Sequence, residues 1–168
     1  MTCRKIAIAS IFTALLVSAA LLRAQVEEPR PIIFAFDVDI SLSDKAAMKL
    51  KMQRESIVVS AVYSGAPKPI EEKRAEEIGM IDLGVENVEV VGAEGMVRVT
   101  GTKIDIKRLD WMKGPVMLNV NVFSGRHASG DNILACDFFD GKLSSAVKRP
   151  VKLHCSLITE GEKTRHKD

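Results

Sequence analysis

Two cysteines, Cys136 and Cys155, are the residues whose type and position point most directly to chemistry. Each lies in a run that alternates apolar and polar residues, on the apolar side of that alternation. A catalytic cysteine would have to stay free, and the chain has no Cys-x-x-Cys motif of the thiol-exchange kind. The pair therefore predicts a buried disulfide between neighbouring strands or sheets, which contributes roughly 3 kcal/mol for a closed loop of about 20 residues.

A polar loop at residues 124–131 holds the candidate binding residues. Its sequence, SGRHASGD, places an arginine and a histidine between two glycines. Exposed loops that carry arginine and histidine are suited to recognition. We therefore assign a binding role to Ser124, Arg126, His127 and Asp131. The alternative is an ordinary hairpin loop without a partner.

A second set of residues could take part in acid-base or metal chemistry. Asp37 and Asp39 alternate along one strand and share a face, and the chain has three histidines, His127, His154 and His166. The histidines show neither His-x-His nor HExxH spacing, and the nucleophile motif GxSxG is absent from the sequence. We expect Asp37 and Asp39 to form a solvated outer face, with no catalytic residue, metal site or cofactor.

The N-terminal sequence is typical of an export signal. Arg4 and Lys5 precede an uncharged stretch at residues 6–22, and Ala24 provides a small residue at the predicted cleavage site. We expect residues 1–24 to be removed and the protein to be periplasmic or secreted. The alternative is an uncleaved anchor, which would be the chain's only attachment to a membrane.

Removal of the signal changes the charge balance. The signal contains three of the 24 basic residues and none of the 22 acidic ones, so the mature chain has 21 basic and 22 acidic residues. A chain so close to neutrality, without a basic patch, argues against a nucleic-acid partner. In an oxidising compartment, the two remaining cysteines are most simply a disulfide.

Hydrophobic periodicity predicts the elements that position these residues. Residues 25–31 form an extended lead-in, a single domain covers 32–158, and 159–168 is a charged flexible tail. Ser43 is a good N-cap for a helix that ends near residue 51. Strands are predicted at 32–42, 56–63, 78–83, 87–91, 96–99, 115–124, 132–139 and 150–157, and a mixed strand and helical turn at 102–112. The fold class is an all-β antiparallel β-sandwich, immunoglobulin-like or transthyretin-like, of about 7–8 strands with one or two short helices.

One segment resembles a known family. Residues 40–69, which include ISLSDKAAMKL and SIVVSAVYSGAPKP, are similar to the start of the C-terminal β-sandwich domain of the cytochrome c biogenesis protein CcmI. The resemblance covers about 30 residues and implies a small antiparallel sandwich with a periplasmic protein-binding role. It brings no catalytic residues, and the tetratricopeptide part and membrane helices of that family are missing from this sequence.

Three functions follow as hypotheses. The first is an exported, non-catalytic binding module that recognises a protein or an envelope component. The second is an inhibitor or immunity protein for an exported enzyme, with the 124–131 loop as the plug. The third, of another class, is a metal-binding protein or hydrolase with a site assembled from Asp37, Asp39 and the scattered histidines.

Overall fold

β-Strands are the main secondary structure of the described chain. The structure, a computed structural model, describes residues 34–168, so the predicted signal (1–24), the lead-in (25–31) and the start of the first predicted strand lie outside it. The strands are β1 (Phe36–Leu42), β2 (Ser56–Pro67), β3 (Ile81–Val91), β4 (Gly95–Val99), β5 (Met112–Ser124), β6 (Leu134–Cys136), β7 (Phe138–Lys142), β8 (Val151–Leu157) and β9 (His166–Lys167). The helices are α1 (Asp44–Gln53) and α2 (Leu143–Lys148), with 3₁₀ turns at Pro69–Arg74, Ile106–Trp111 and Ile158–Glu160. None of the helices in residues 34–168 has the length and apolar character needed to cross a bilayer.

The strands form two mixed sheets. One has the order β4-β1-β8-β6 and the other has the order β3-β2-β5-β7-β9. The pairs β1–β8 and β7–β9 are parallel, so the prediction of purely antiparallel pairing is wrong. Parallel neighbours need a long connection. The chain between β1 and β8 provides one, which residue alternation within each strand does not reveal.

The core consists of the apolar faces of both sheets. In β1 the alternation is as predicted, with Phe36, Val38 and Ile40 buried and the aspartates between them directed outward. Residues from both sheets belong to one buried cluster. The rings of Phe36 and Tyr63, one from each sheet, meet edge to face with centroids 6.4 Å apart.

Helix α1 begins as the sequence predicts. The Ser43 side chain accepts a hydrogen bond from the Ala46 N–H at 3.1 Å, which satisfies an otherwise unpaired donor of the first turn. The helix ends two residues later than predicted, at Gln53, and Arg54 adopts the left-handed conformation with φ 52°. This reversal of the chain places the next residue, Glu55, in the interior.

Gly84 lies within a strand and does not end one. β3 includes the predicted strand 87–91 and the last three residues of the predicted strand 78–83, and its register against β2 shifts opposite Tyr63 and Ser64. Gly84 has φ 133°, and a Cβ there would lie 2.4 Å from the Lys103 carbonyl oxygen. Glycine therefore permits an irregular strand and a close backbone approach.

The predicted strand 132–139 is wrong in its second half. Its residues belong to two strands, β6 in the four-stranded sheet and β7 in the other. Leu134 and Phe139 are buried, whereas Phe138, predicted to share a face with Leu134, stacks on His166 with centroids 5.2 Å apart. The chain passes from one sheet to the other at the buried Asp137. The alternation of buried and exposed side chains is therefore inverted after this residue.

Asp137 also contacts the C-terminal segment. Its Oδ1 accepts from the Arg165 N–H at 2.7 Å, and its Oδ2 lies 3.3 Å from Lys167 Nζ. Residues 166–167 form β9 beside β7. A two-residue strand at a chain end is compatible with fraying, so the predicted flexibility of 159–168 stays a prediction.

Cys136 and Cys155 form the predicted disulfide. They are directly opposite each other in the antiparallel pair β6–β8, with Cα atoms 4.0 Å apart. Cys155 is fully buried and Cys136 is half-buried against the core. The bridge therefore links the edge strand β6 to β8 just before the chain changes sheets.

Reduction of the disulfide is expected to destabilise the protein by roughly 3 kcal/mol, because the unfolded chain regains the entropy of an open loop. Urea unfolding of the chain from residue 25, with and without reductant, measures this difference. The double variant Cys136→Ala, Cys155→Ala is the control that reductant should not affect. Alkylation of two cysteines in the unfolded but unreduced protein would contradict the disulfide.

Candidate functional site

The conformation of the 124–131 loop depends on the buried carboxylate of Glu55. Glu55 is 2% exposed and directly follows the reversal at Arg54. Its Oε1 accepts from the N–H groups of Ser56 (3.0 Å) and His127 (3.1 Å). Its Oε2 accepts from the N–H groups of Ala128 (2.7 Å) and Ser129 (3.4 Å). Three successive loop amides therefore converge on one carboxylate.

The charge of Glu55 is stabilised by these hydrogen bonds. Burial alone raises the pKa of the Glu55 carboxyl, because the ionised form loses its hydration. The backbone N–H groups of residues 128, 127, 56 and 129 lower that pKa by more, and the net direction is downward. Glu55 is thus ionised at neutral pH, and its contribution to stability is lost only as the pH falls through this lowered pKa.

The base of the loop is closed by a second set of hydrogen bonds. Ser124 is fully buried, and both its N–H (2.9 Å) and its hydroxyl (3.2 Å) donate to Asn132 Oδ1. The same hydroxyl accepts from the Ile133 N–H at 3.1 Å. Ser124 therefore supports the loop from below and offers no surface to a partner.

His127 and Glu89 form an ion pair on the surface beside the loop. His127 Nε2 lies 2.5 Å from Glu89 Oε1, and the same oxygen accepts from the Ser56 hydroxyl at 2.5 Å. The hydrogen bond and the charge of Glu89 raise the pKa of the His127 imidazole. The hydrogen bonds from Ser56 and then His127 lower the pKa of Glu89. The histidine and the serine share one acceptor, so this is not the serine-histidine-acid order of a hydrolase.

Arg126 and Asp131 are exposed on the same loop. Arg126 has φ 62°, and its guanidinium lies 5.8 Å from the Phe123 ring centroid. Asp131 accepts through its main-chain carbonyl from the Ser129 hydroxyl at 2.6 Å, so its carboxylate is not needed to shape the loop. The predicted residues 126, 127 and 131 lie on the surface and Ser124 does not.

A groove of about 770 Å³ adjoins this loop. One wall is the end of α1, including Leu50, Lys51 and Arg54, and the other is the end of β3 with Val91 and Gly92. Glu55, Ser56 and Glu89 also line the groove, so it is continuous with the ion pair. The Val91 side chain is 82% exposed, which leaves an apolar group at the rim.

Asp37, Asp39 and His154 lie on the outer face of the four-stranded sheet, whereas His166 lies in β9 of the other sheet. Asp37 pairs with Arg98 at 3.0 Å, and Asp39 is opposite Lys152 of β8. His154 Nδ1 lies 3.0 Å from the Ser41 hydroxyl, but its Nε2 is 3.7 Å from Glu162, beyond hydrogen-bond distance. In residues 34–168, no three histidine, cysteine or acidic residues are placed to hold a metal ion together.

Sequence reasoning missed Glu55 and Glu89. The signal for Glu55 was an acidic residue directly before a β-branched strand, where burial requires hydrogen-bond partners. Glu89 reads as the polar residue of an alternating strand. Only the pairing of β3 with β2 and of β2 with β5 brings it to the loop.

No protein-family model, curated protein or solved structure matches the chain at a significant level. The resemblance of residues 40–69 to the CcmI domain therefore stays a prediction. The function has to be argued from the surface described above.

Substitution Glu55→Gln is expected to cost about 2 kcal/mol, since it replaces an ionised acceptor of four N–H groups by a neutral amide. Urea unfolding should show this loss. Hydrogen exchange at the amides of residues 127–129 should become faster at the same time. Glu94→Gln, at an exposed position, is the matched control and should change neither. Unchanged exchange in the 127–129 amides would contradict the role assigned to Glu55.

The pKa of His127 is expected to lie above the ordinary value for histidine and to fall toward it in Glu89→Gln, because the carboxylate charge is removed. A titration of the imidazole resonances followed by NMR measures both values. The ion pair forms at pH values between the lowered pKa of Glu89 and the raised pKa of His127, and is lost as pH rises through the latter. Glu94→Gln is the control and should leave the pKa of His127 unchanged, because Glu94 is not among the groups that shift it.

Proposed function

We propose that this chain is an exported, non-catalytic module that binds another protein through the end of the molecule formed by the 124–131 loop. The observation that carries the proposal is the loop fixed by Glu55 while the Arg126 and His127 side chains are exposed. A loop whose backbone is already ordered loses less entropy on binding. Arginine is also among the residues that most often dominate interface energies.

Export is supported by the sequence of residues 1–24, with its basic start, apolar stretch and Ala24. A disulfide is compatible with the periplasm or the exterior of the cell, where such bonds persist. The periplasmic or secreted location is therefore part of the proposal.

We further propose that the two sheets are the layers of a β-sandwich. The support is the shared core cluster and the contact between Phe36 and Tyr63. The parallel pair β1–β8 departs from the all-antiparallel pairing of an immunoglobulin-like domain. A sandwich places its loops at two ends, which suits a binding surface at the end that includes residues 124–131.

An inhibitor of an exported enzyme is the narrower form of this function. Its support is a projecting loop beside a groove and an ion pair. It differs from a general binding module in one measurable respect, since the captured partner would be an enzyme whose activity falls on complex formation.

The proposed function is tested by capture of a partner from periplasmic or secreted extract on immobilised mature protein. Wild type is expected to retain a partner, and Arg126→Ala and His127→Ala are each expected to weaken binding at least about tenfold, which corresponds to 1.4 kcal/mol. Lys152→Ala, on the outer face of the other sheet, is the matched control and should bind as wild type does. Equal retention by all three variants would overturn the assignment of the loop.

A further inference from the structure

Among residues 34–168, the segments that cover the edge of β3 lie along its first half. β3 is an edge strand of the five-stranded sheet and pairs with β2. Near its start, the Asp105 N–H donates to the Leu83 carbonyl at 2.8 Å, and the Arg108 guanidinium donates to the Asp82 carbonyl at 2.9 Å. The buried Glu86 side chain accepts from the Thr100 N–H at 2.8 Å. The chain at residues 100–108 therefore lies along the edge of β3 up to Glu86.

The second half of β3, residues 87–91, has an open edge. The Gly125 N–H donates to the Ser56 carbonyl at 2.9 Å, so the main chain of Ser56 is directed toward β5. By alternation along the antiparallel ladder, the main-chain groups of Asn87, Glu89 and Val91 point away from β2. Within residues 34–168, the only hydrogen bond to these groups is a turn from the Ala93 N–H to the Val91 carbonyl, at 2.7 Å.

The sequence of this open edge contains little that prevents pairing. It reads Asn-Val-Glu-Val-Val, with three β-branched residues and no proline. The register against β2 is regular from residue 85 to 91, so no bulge turns the edge away. Natural proteins usually protect an exposed edge with lysine, proline, a bulge or a covering segment. Here Glu89 is the single charge.

A second copy of the chain is a poor occupant of this edge. An antiparallel pair of copies that uses all five free residues places Glu89 of one copy opposite Glu89 of the other. Like charges directly opposite are destabilising. A shifted register toward Glu86 runs into residues 100–108, which already lie along that part of the edge.

The charge of Glu89 favours a basic residue in the incoming strand. Its Oε1 is used by Ser56 and His127, and within residues 34–168 no side chain hydrogen-bonds its Oε2. Val88 and Val90 face the core side and Val91 is exposed beside the groove, so the flanking positions favour apolar residues. The groove between α1 and the end of β3 can accept the chain beyond Val91.

We propose that residues 87–91 bind an extended segment of another protein, which adds to the sheet as an antiparallel strand with a lysine or arginine opposite Glu89 and apolar residues on either side. This deepens the proposed function and rests on it, because it specifies the kind of partner segment that the same end of the molecule takes. Main-chain hydrogen bonds provide the affinity and alternate side chains the specificity.

The probe is a synthetic peptide, acetyl-Thr-Val-Val-Lys-Val-Thr-Thr-amide, with a matched peptide in which glutamate replaces the lysine. Both are titrated into the ¹⁵N-labelled mature protein. The lysine peptide is expected to shift the amide resonances of residues 87–91 and to bind at least about tenfold more tightly than the glutamate peptide. In Glu89→Lys this preference is expected to reverse, while Lys152→Ala, on the outer face of the other sheet, should leave it unchanged.

N-methylation of the peptide tests the strand geometry. Methyl groups on the main-chain nitrogens of the lysine and of the residues two positions away from it remove the N–H groups that face Asn87, Glu89 and Val91. This pattern should abolish binding. Methyl groups on the intervening residues face away and should leave binding within about threefold. Equal effects of the two patterns, or amide shifts that spare residues 87–91, would overturn the proposal.

Three further results distinguish the identity of the occupant from the proposed function. A concentration-dependent dimer in sedimentation, weakened by the lysine peptide, would identify a second copy as the occupant and overturn the proposal. A captured partner that is lost in Arg126→Ala but retained in Glu89→Lys would keep the binding function and overturn the strand addition. Peptide binding without any captured partner would support the edge and count against the loop.

Discussion

A buried carboxylate that is held by backbone N–H groups is the constraint around which this end of the molecule is arranged. Glu55 is enclosed and ionised, and within residues 34–168 its hydrogen-bond donors are all backbone N–H groups. Such a charge is tolerated only where several donors converge on it. Gly92 and Gly125 allow that convergence. A Cβ at Gly92 would lie 2.1 Å from the Glu55 carbonyl oxygen, and one at Gly125 would lie 1.9 Å from the Ser56 hydroxyl.

Asp137, another buried carboxylate, is satisfied in a different way. It lies where the chain passes from one sheet to the other, directly after Cys136 of the disulfide. Its partners are the Arg165 N–H and the Lys167 ammonium of the C-terminal segment, so its charge is paired with a charge. Glu55 orders the loop that leads from β5 of one sheet to β6 of the other, whereas Asp137 connects the C-terminal segment to the next crossing, from β6 to β7. Two acidic residues of similar burial therefore support two successive crossings between the sheets.

The sequence predicts the features that depend on near neighbours. The alternation of Phe36, Val38 and Ile40, the N-cap at Ser43 and the pairing of Cys136 with Cys155 all follow from local pattern and composition. The parallel pair β1–β8 could not be predicted, because residue alternation is the same for either strand direction. The change of sheet at Asp137 was missed for a similar reason. An alternating run of eight residues reads as one strand, and only the burial of Phe139 in place of Phe138 reveals the inversion.

For the candidate site too, the sequence reveals what depends on near neighbours and not what depends on distant residues. Arg126 and His127 are recognisable because their loop is polar and glycine-flanked, but what fixes the loop is distant in sequence. His127 is 38 residues from Glu89 and 72 from Glu55, and the three meet only because β2 lies between β3 and β5. Glu89 thus has two roles at once. Its Oε1 orients the histidine of the loop, and its charge stands in the middle of an edge that would otherwise pair with any β-branched strand, including its own copy. A single carboxylate at that position discourages self-association and selects for a basic partner. Because the same carboxylate holds His127, we place the loop and the open edge in one surface.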